Sequence, residues 1–254
     1  MQLNQRLFDL FADQARTTRV EELCLGLGYT AAATADGGVG IAYTFFQHKS
    51  ACMPHAGYDN PEGQSAIGLL EKITGDDPLE RTMALAVLNA LNAGRVAGIT
   101  GGPDAAADNQ DLLELLAIGP GTRVAMVGAI KPLIRLIKER GGEVAVRDEG
   151  KGIGAPDDFL DKLAGWAEVL ILTSTSILNN TTEEILAAAD SPRQTVLLGP
   201  STPLVPEAFV DLPVDFLAGT LPLDRAGTFR AVRHGRGTPV IQKFGQKVLL
   251  RLDQ

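Results

Sequence analysis

From residue 111 onward the chain alternates short apolar runs with helical patterns, and this alternation limits its fold more than any other feature. Runs at 123–127, 143–146, 167–172, 195–198 and 216–218 are rich in Val, Leu, Ile and Ala. Helix-like stretches at 111–117, 132–140, 157–163, 182–189 and 206–210 separate them. A strand that is apolar on both sides must be covered on both sides. The series therefore predicts a Rossmann-like α/β domain, a parallel sheet between helices.

The preceding part reads differently. Residues 20–26, 29–34 and 39–46 form three strand-like stretches, and Asp36-Gly37-Gly38 marks a hairpin between the last two. Leu3, Leu7, Leu10 and Phe11 recur at helical spacing before them. Two helices follow, over 65–74 with a stop at Gly75, and from Pro78 to Gly94 with Asp76 or Asp77 as cap. On the second, Leu79, Met83, Val87 and Leu91 make an apolar stripe that Leu85 and Leu88 widen, so it is expected to be buried. Residues 98–103 look like a linker. The expected organisation is a smaller α+β domain over 1–100 and the Rossmann-like domain over 101–254. The tail at 240–252 either adds an edge strand or returns to pack on the first domain.

A net charge of −8 and the absence of a Lys/Arg cluster argue against a nucleic-acid partner. The N-terminus has no basic start followed by an apolar block, the apolar runs are only strand-length, and there are two cysteines. A cytoplasmic, reduced protein without a membrane partner is expected. A homo-oligomer is left open.

In an open parallel sheet, ligands sit beyond the carboxyl ends of the strands, which makes four loops the candidates. The first, Val127-Gly128-Ala129-Ile130-Lys131-Pro132, has one glycine of the three in a dinucleotide fingerprint. Gly128 allows a tight turn into a helix whose first amides attract an anion, although a plain strand-to-helix turn uses the same residue. The second places Asp148 where an acidic side chain accepts a ribose hydroxyl, or simply meets solvent. The third runs Thr173-Ser174-Thr175-Ser176-Ile177-Leu178-Asn179-Asn180-Thr181-Thr182. Thr181 or Thr182 can cap the next helix, with Glu184 completing a capping box. That leaves Thr173, Ser174, Thr175 and Asn179 as a surface for a polar ligand. In the fourth, Leu198-Gly199-Pro200-Ser201-Thr202-Pro203, Gly199 permits close backbone approach and Ser201 and Thr202 add donors. The third and fourth loops are expected to share one pocket, with the amides of Gly128 and of Gly199 to Thr202 receiving an anion. Asn89 and Asn92 share one face of the buried helix, where an unpaired amide is costly. Asn89 is expected across a cleft from these loops.

His48, Cys52 and His55 offer three metal-capable side chains without an evident fourth ligand. A bound metal ion therefore stays open, and no other cofactor is assigned. No HExxH, Gly-x-Ser-x-Gly or GxxxxGK[ST] motif occurs and no general base is identifiable, so catalysis is left undecided.

Several stretches together resemble one family. They are Gly40-Ile41-Ala42-Tyr43-Thr44-Phe45, Ala86-Val87-Leu88-Asn89-Ala90-Leu91 and Val124-Ala125-Met126-Val127-Gly128. The strongest are Glu168-Val169-Leu170-Ile171-Leu172-Thr173-Ser174-Thr175 with Asn179-Asn180-Thr181, and the Gly199-Pro200-Ser201-Thr202-Pro203 loop. They resemble the heavy-metal-chelation family, a domain of unknown function. The resemblance implies an enolase-N-terminal-like first domain, a Rossmann-like second domain and an active site in the cleft between them. It carries over Thr44, Asn89, Gly128, Thr173, Thr175, Asn179, Gly199, Pro200, Ser201 and Gly219 as cleft residues. The expected function is binding of a polar, anionic small molecule or nucleotide-type cofactor in that cleft. The alternative is metal chelation or delivery of a metallocofactor.

Overall fold

The computed structural model of the chain describes residues 2–46, 60–99, 109–190 and 192–252. Helix α1 (Gln2–Thr17) leads into an antiparallel sheet of β1 (Val20–Leu25), β2 (Tyr29–Thr34) and β3 (Val39–Tyr43). After α2 (Ile67–Leu70) and a short 3₁₀ turn ending at Thr74 comes the long helix α3 (Pro78–Ile99). Asp77 Oδ1 accepts the Leu79 amide at 2.8 Å and starts α3, as its position predicts. The helix does not stop at Gly94. Val96 is buried on its last turns, and this tertiary contact outweighs the weak helix propensity of one glycine. Gly98 thus belongs to α3, and residues 100–103 of the expected linker lie outside the described residues.

All six residues of β2 are buried, because helices cover both faces of this small sheet. On one face α3 lies unusually close. A Cβ on Gly38 would come 2.0 Å from the Ala90 carbonyl oxygen, and one on Gly40 would come 2.2 Å from that of Ala86. On the other face sits α9 (Arg225–Arg233), followed by α10 (Thr238–Ile241). Phe229, Val232 and Ile241 pack there with Ala31, Ala33 and Ile41. Tyr29 and Thr238 hydroxyls meet at 2.7 Å, and Arg225 and Arg233 pair with Glu21 and Glu22.

The second sheet is six-stranded and mostly parallel. Its elements are α4 (Asn109–Leu115), β4 (Arg123–Val127), α5 (Lys131–Glu139), β5 (Glu143–Arg147), α6 (Pro156–Gly165) and β6 (Val169–Thr173). They continue as α7 (Thr175–Leu178), α8 (Thr182–Ala188), β7 (Gln194–Leu198), β8 (Phe216–Pro222) and β9 (Gly245–Arg251). The strand order is β5-β4-β6-β7-β8-β9, with only β9 antiparallel. The mixed α/β architecture expected from the strand pattern is present, and both readings of the tail hold in part. Residues 245–251 form the edge strand, while the segment before them returns to the first sheet. The expected helix at 206–210 is a 3₁₀ turn, Pro206–Phe209.

By length and composition alone α3 is also long and apolar enough to cross a membrane, although its unbroken apolar run, residues 83–88, is short. Its apolar surface is instead spent on the protein interior, with Leu85, Leu88 and Leu91 in the same core cluster as Leu7, Phe11 and Phe209.

Candidate functional site

The parallel sheet reverses its direction of growth between β4 and β6. From β4 the chain goes outward to β5, then returns to β6 on the other side and continues to β7 and β8. Helices leaving adjacent strands to opposite sides open a crevice at that point, at the carboxyl ends of the two strands. Gly128 follows β4 there with φ +89°, a conformation that glycine adopts without strain. Any Cβ on it would lie 2.9 Å from Cβ of Thr173, the last residue of β6. The bare glycine therefore packs directly against the threonine at the ends of the two strands.

The hydroxyls of Thr173 and Thr175 lie 3.2 Å apart, and both residues are half-buried. One turn of helix α7 then carries the chain to Asn179, also half-buried. Thr181 donates to Asn179 Oδ1 at 2.7 Å, which fixes the amide and leaves its NH₂ without a partner among the described residues. This bond also corrects the capping expectation. Thr181 is the N-cap of α8 but its side chain turns back to Asn179, and the Thr182 hydroxyl meets Ser176 at 2.7 Å. No capping box forms.

A buried arginine that sequence reasoning missed holds this loop from below. Arg81 of α3 is 3% exposed and donates to the carbonyls of Leu178 at 2.6 Å and Gly75 at 2.5 Å. Burial pulls its pKa down, and the charges of Asp76 and Asp77 pull the other way. The available signal was a cation at helical spacing from Leu85 and Leu88, on the face expected to be buried, where a charge is retained only with partners.

The Gly199 loop follows β7 and serves mostly as a brace. Ser201 Oγ accepts the Tyr43 amide at 2.6 Å, and Asn89 donates to the carbonyls of Ile41 at 2.9 Å and Ser201 at 3.2 Å. Asn92 donates to Leu204 O at 2.8 Å, and Thr202 Oγ1 to Ala218 O at 2.9 Å. Thr44 is buried with its hydroxyl on that of Thr30. Asn89, Asn92 and Ser201 thus clamp the small sheet and α3 to the loop after β7, Thr44 and Thr202 bond within their own sheets, and the hydrogen bonds expected for a ligand are already made inside the protein. Gly219 is a packing glycine, since a Cβ there would meet Leu204 at 3.1 Å. Pro200 is half-buried between Gly199 and Ser201.

The expected anion donors need the same correction. The amide of Gly128 donates to Arg147 O at 2.8 Å, that of Gly199 to Ala218 O at 3.0 Å, and that of Thr202 to Gly199 O at 3.0 Å. Asp148 accepts the Ala129 amide at 2.8 Å and Lys151 Nζ at 2.6 Å, so it brackets the Gly128 turn instead of waiting for a ribose. Burial pushes its carboxyl up, but the Lys151 and Ala129 hydrogen bonds and the Lys151 charge outweigh this and hold it below the usual carboxylate value. Among the described residues, Asn179 Nδ2 and Ser174 Oγ have no partner here, the latter buried beside Gly199, where a Cβ would come within 2.6 Å of it.

A family profile described as "Putative heavy-metal chelation", domain of unknown function 364, matches residues 111–251. A second profile with the same description, domain of unknown function 4213, matches residues 8–92. The chain belongs to this family. An uncharacterised protein of Methanocaldococcus jannaschii is 21% identical to it over 237 residues, covering 88% of this chain and 86% of that protein. The crystal structure of a protein of unknown function from the 364 family of Pyrococcus horikoshii matches with TM-score 0.80 at 20% identity, over 99% of this chain and 100% of that one. Another family member of unknown function, from Desulfitobacterium hafniense, matches with TM-score 0.76 at 19% identity, over 97% and 98%. At these identities the likeness establishes the shared fold.

The family's description names metal chelation, which needs a cluster of donor side chains. Among the described residues no three His, Cys, Asp or Glu side chains come together to hold an ion. His48, Cys52 and His55 lie outside the described residues. The described polar groups at the switch point are hydroxyls, amides and one carboxylate, Asp148, which is already paired with Lys151.

Proposed function

We propose that this family member binds a small anionic metabolite, of nucleotide or phosphorylated type, at the switch point between β4 and β6. The observation that carries this reading is the pairing of Gly128 with Thr173 at that point, with the hydroxyls of Thr173 and Thr175 and the free amide of Asn179 alongside. The anion is placed at the first turn of α5, which no side chain caps, with Lys131 opening the helix and Lys151 close to Ala129 O. A helix start attracts negative charge through its free amides and its dipole. Thr173, Thr175 and Asn179 orient the ligand, Asp148 holds the turn, and the Asn89–Ser201 clamp fixes the wall beside it. No general base belongs to this arrangement, so the reading is one of binding.

Thermal-shift screening against nucleotides, S-adenosylmethionine and phosphorylated metabolites tests it. A ligand present at 100 times its Kd adds about 2.7 kcal/mol, a rise of roughly 5–10 °C for a chain of this size. Thr173→Val and Asn179→Ala should abolish that rise, while each lowers the unliganded melting temperature only by the loss of its own hydrogen bond to Thr175 or Thr181. No stabilisation by any compound, or an undiminished rise in both variants, defeats the proposal.

A further inference from the structure

The turn that carries Asn179 follows a strand of the parallel sheet, yet two helices from the N-terminal part of the chain hold it. Arg81 of α3 donates its Nε to Leu178 O at 2.6 Å. That carbonyl belongs to the peptide bond whose nitrogen is that of Asn179, so the bond fixes the plane from which the Asn179 side chain departs. From α1, Asn4 is 4% exposed and donates to Asn180 Oδ1 at 2.7 Å and to Ile177 O at 3.4 Å. Asn180 has φ +61°, a left-handed conformation that asparagine adopts more readily than most residues. The two adjacent asparagines are used differently. Asn180 is hooked to α1, whereas Asn179 has its Oδ1 held by Thr181 and its NH₂ without a partner among the described residues.

Stability alone does not call for this arrangement. Among the described residues Arg81 has no ion pair, and its hydrogen bonds go to two carbonyls. A buried cation without a carboxylate in contact carries a desolvation penalty that an apolar side chain of similar volume avoids. What the guanidinium supplies instead is geometry, a rigid fork that aims donors at the carbonyls of Leu178 and Gly75 together. We infer that Arg81 and Asn4 are positioning residues of the switch-point site, through which α1 and α3 set the affinity for its ligand. The inference rests on the switch-point reading. Neither side chain is placed against the ligand. Both act through Asn179, so a ligand that uses the Asn179 amide depends on them, and an anion that uses only the first turn of α5 does not.

Titration calorimetry with adenosine monophosphate and with inorganic phosphate, run well below the melting temperature, tests this. Arg81→Met should weaken binding of the nucleotide about tenfold, the scale of one hydrogen bond, and leave that of phosphate unchanged. Arg81→Lys, which restores a cationic donor, should recover part of the loss. Asn4→Ala is a milder change that should weaken the nucleotide in the same direction. Asn92→Ala removes a comparable bond from α3, to Leu204 O, and should lower the melting temperature without changing nucleotide affinity. A second readout needs no ligand. The side-chain NH₂ signal of Asn179 in heteronuclear NMR, assigned by its loss in Asn179→Asp, should move in Arg81→Met and Asn4→Ala but not in Asn92→Ala. Absence of nucleotide binding by wild-type protein overturns the switch-point reading and this inference with it. Nucleotide binding that survives both Arg81→Met and Asn4→Ala, equal weakening of nucleotide and phosphate, or an unmoved Asn179 signal overturns this inference alone.

Discussion

Asn89→Ala separates a brace from a ligand residue. One side-chain NH₂ spans two carbonyls, Ile41 O on the small sheet and Ser201 O on the loop after β7. Truncation deletes both bonds and leaves two acceptors short of a donor. Leaving a buried polar group unsatisfied costs about 1–3 kcal/mol. Water can reach the half-buried position and recovers part of that. A total near 2–4 kcal/mol follows, which is a fall of roughly 4–16 °C in melting temperature at about 2–4 °C per kcal/mol. Calorimetric melting and urea unfolding of the variant measure it directly. Ligand affinity at the switch point should change less than threefold once the protein is held well below its melting temperature. A melting temperature within about 1 °C of wild type, or lost ligand binding by a fully stable variant, would refute the reasoning.

Other perturbations probe the same account. Gly40→Ala drives a methyl into the backbone of α3 at Ala86 and Ala90, neither of which can yield as a side chain would. The variant should lose at least about 3 kcal/mol and express poorly, as judged by soluble yield and unfolding midpoint. Asp148 has a depressed folded-state pKa, so its contribution is present above its unfolded pKa of about 3.9 and disappears as pH falls through the lower folded value. Asp148→Asn should therefore destabilise the protein at neutral pH and reduce the steepness of acid unfolding, read by circular dichroism. Burial pushes the Tyr29 hydroxyl up to about 12, against the opposing hydrogen bond from Thr238. Its contribution is full below the unfolded pKa near 10 and is lost as pH rises through about 12. Tyr29→Phe should remove a late-titrating tyrosine from an ultraviolet pH titration and loosen the α10 segment in hydrogen exchange.

Much of the architecture is legible in the residues because burial on two faces leaves a direct mark. The runs at 123–127 and 169–172 are apolar at every position or nearly so, and only a covered parallel strand needs that. Helix α9 leaves no such mark. Phe229, Ala231 and Val232 are its buried apolar side chains among arginines, and the surface they cover is a sheet two hundred residues earlier in the chain. The candidate site divides in the same way. Thr173, Thr175 and Asn179 can be named from sequence because a strand's carboxyl end is a local property. Whether Asn89, Ser201 or Asp148 meets a ligand or a neighbour depends on which carbonyl or amide lies within 3 Å, and that is decided by tertiary packing. Periodicity could not have told a brace from a binding group at any of these positions.

The most direct test of the switch-point claim is a crystal structure of the protein with a ligand taken from the thermal-shift screen. The account predicts electron density bounded by Gly128, Thr173, Thr175 and Asn179, with the anionic group against the first turn of α5. A stabilising ligand found elsewhere on the molecule, with the crevice between β4 and β6 empty, would contradict it.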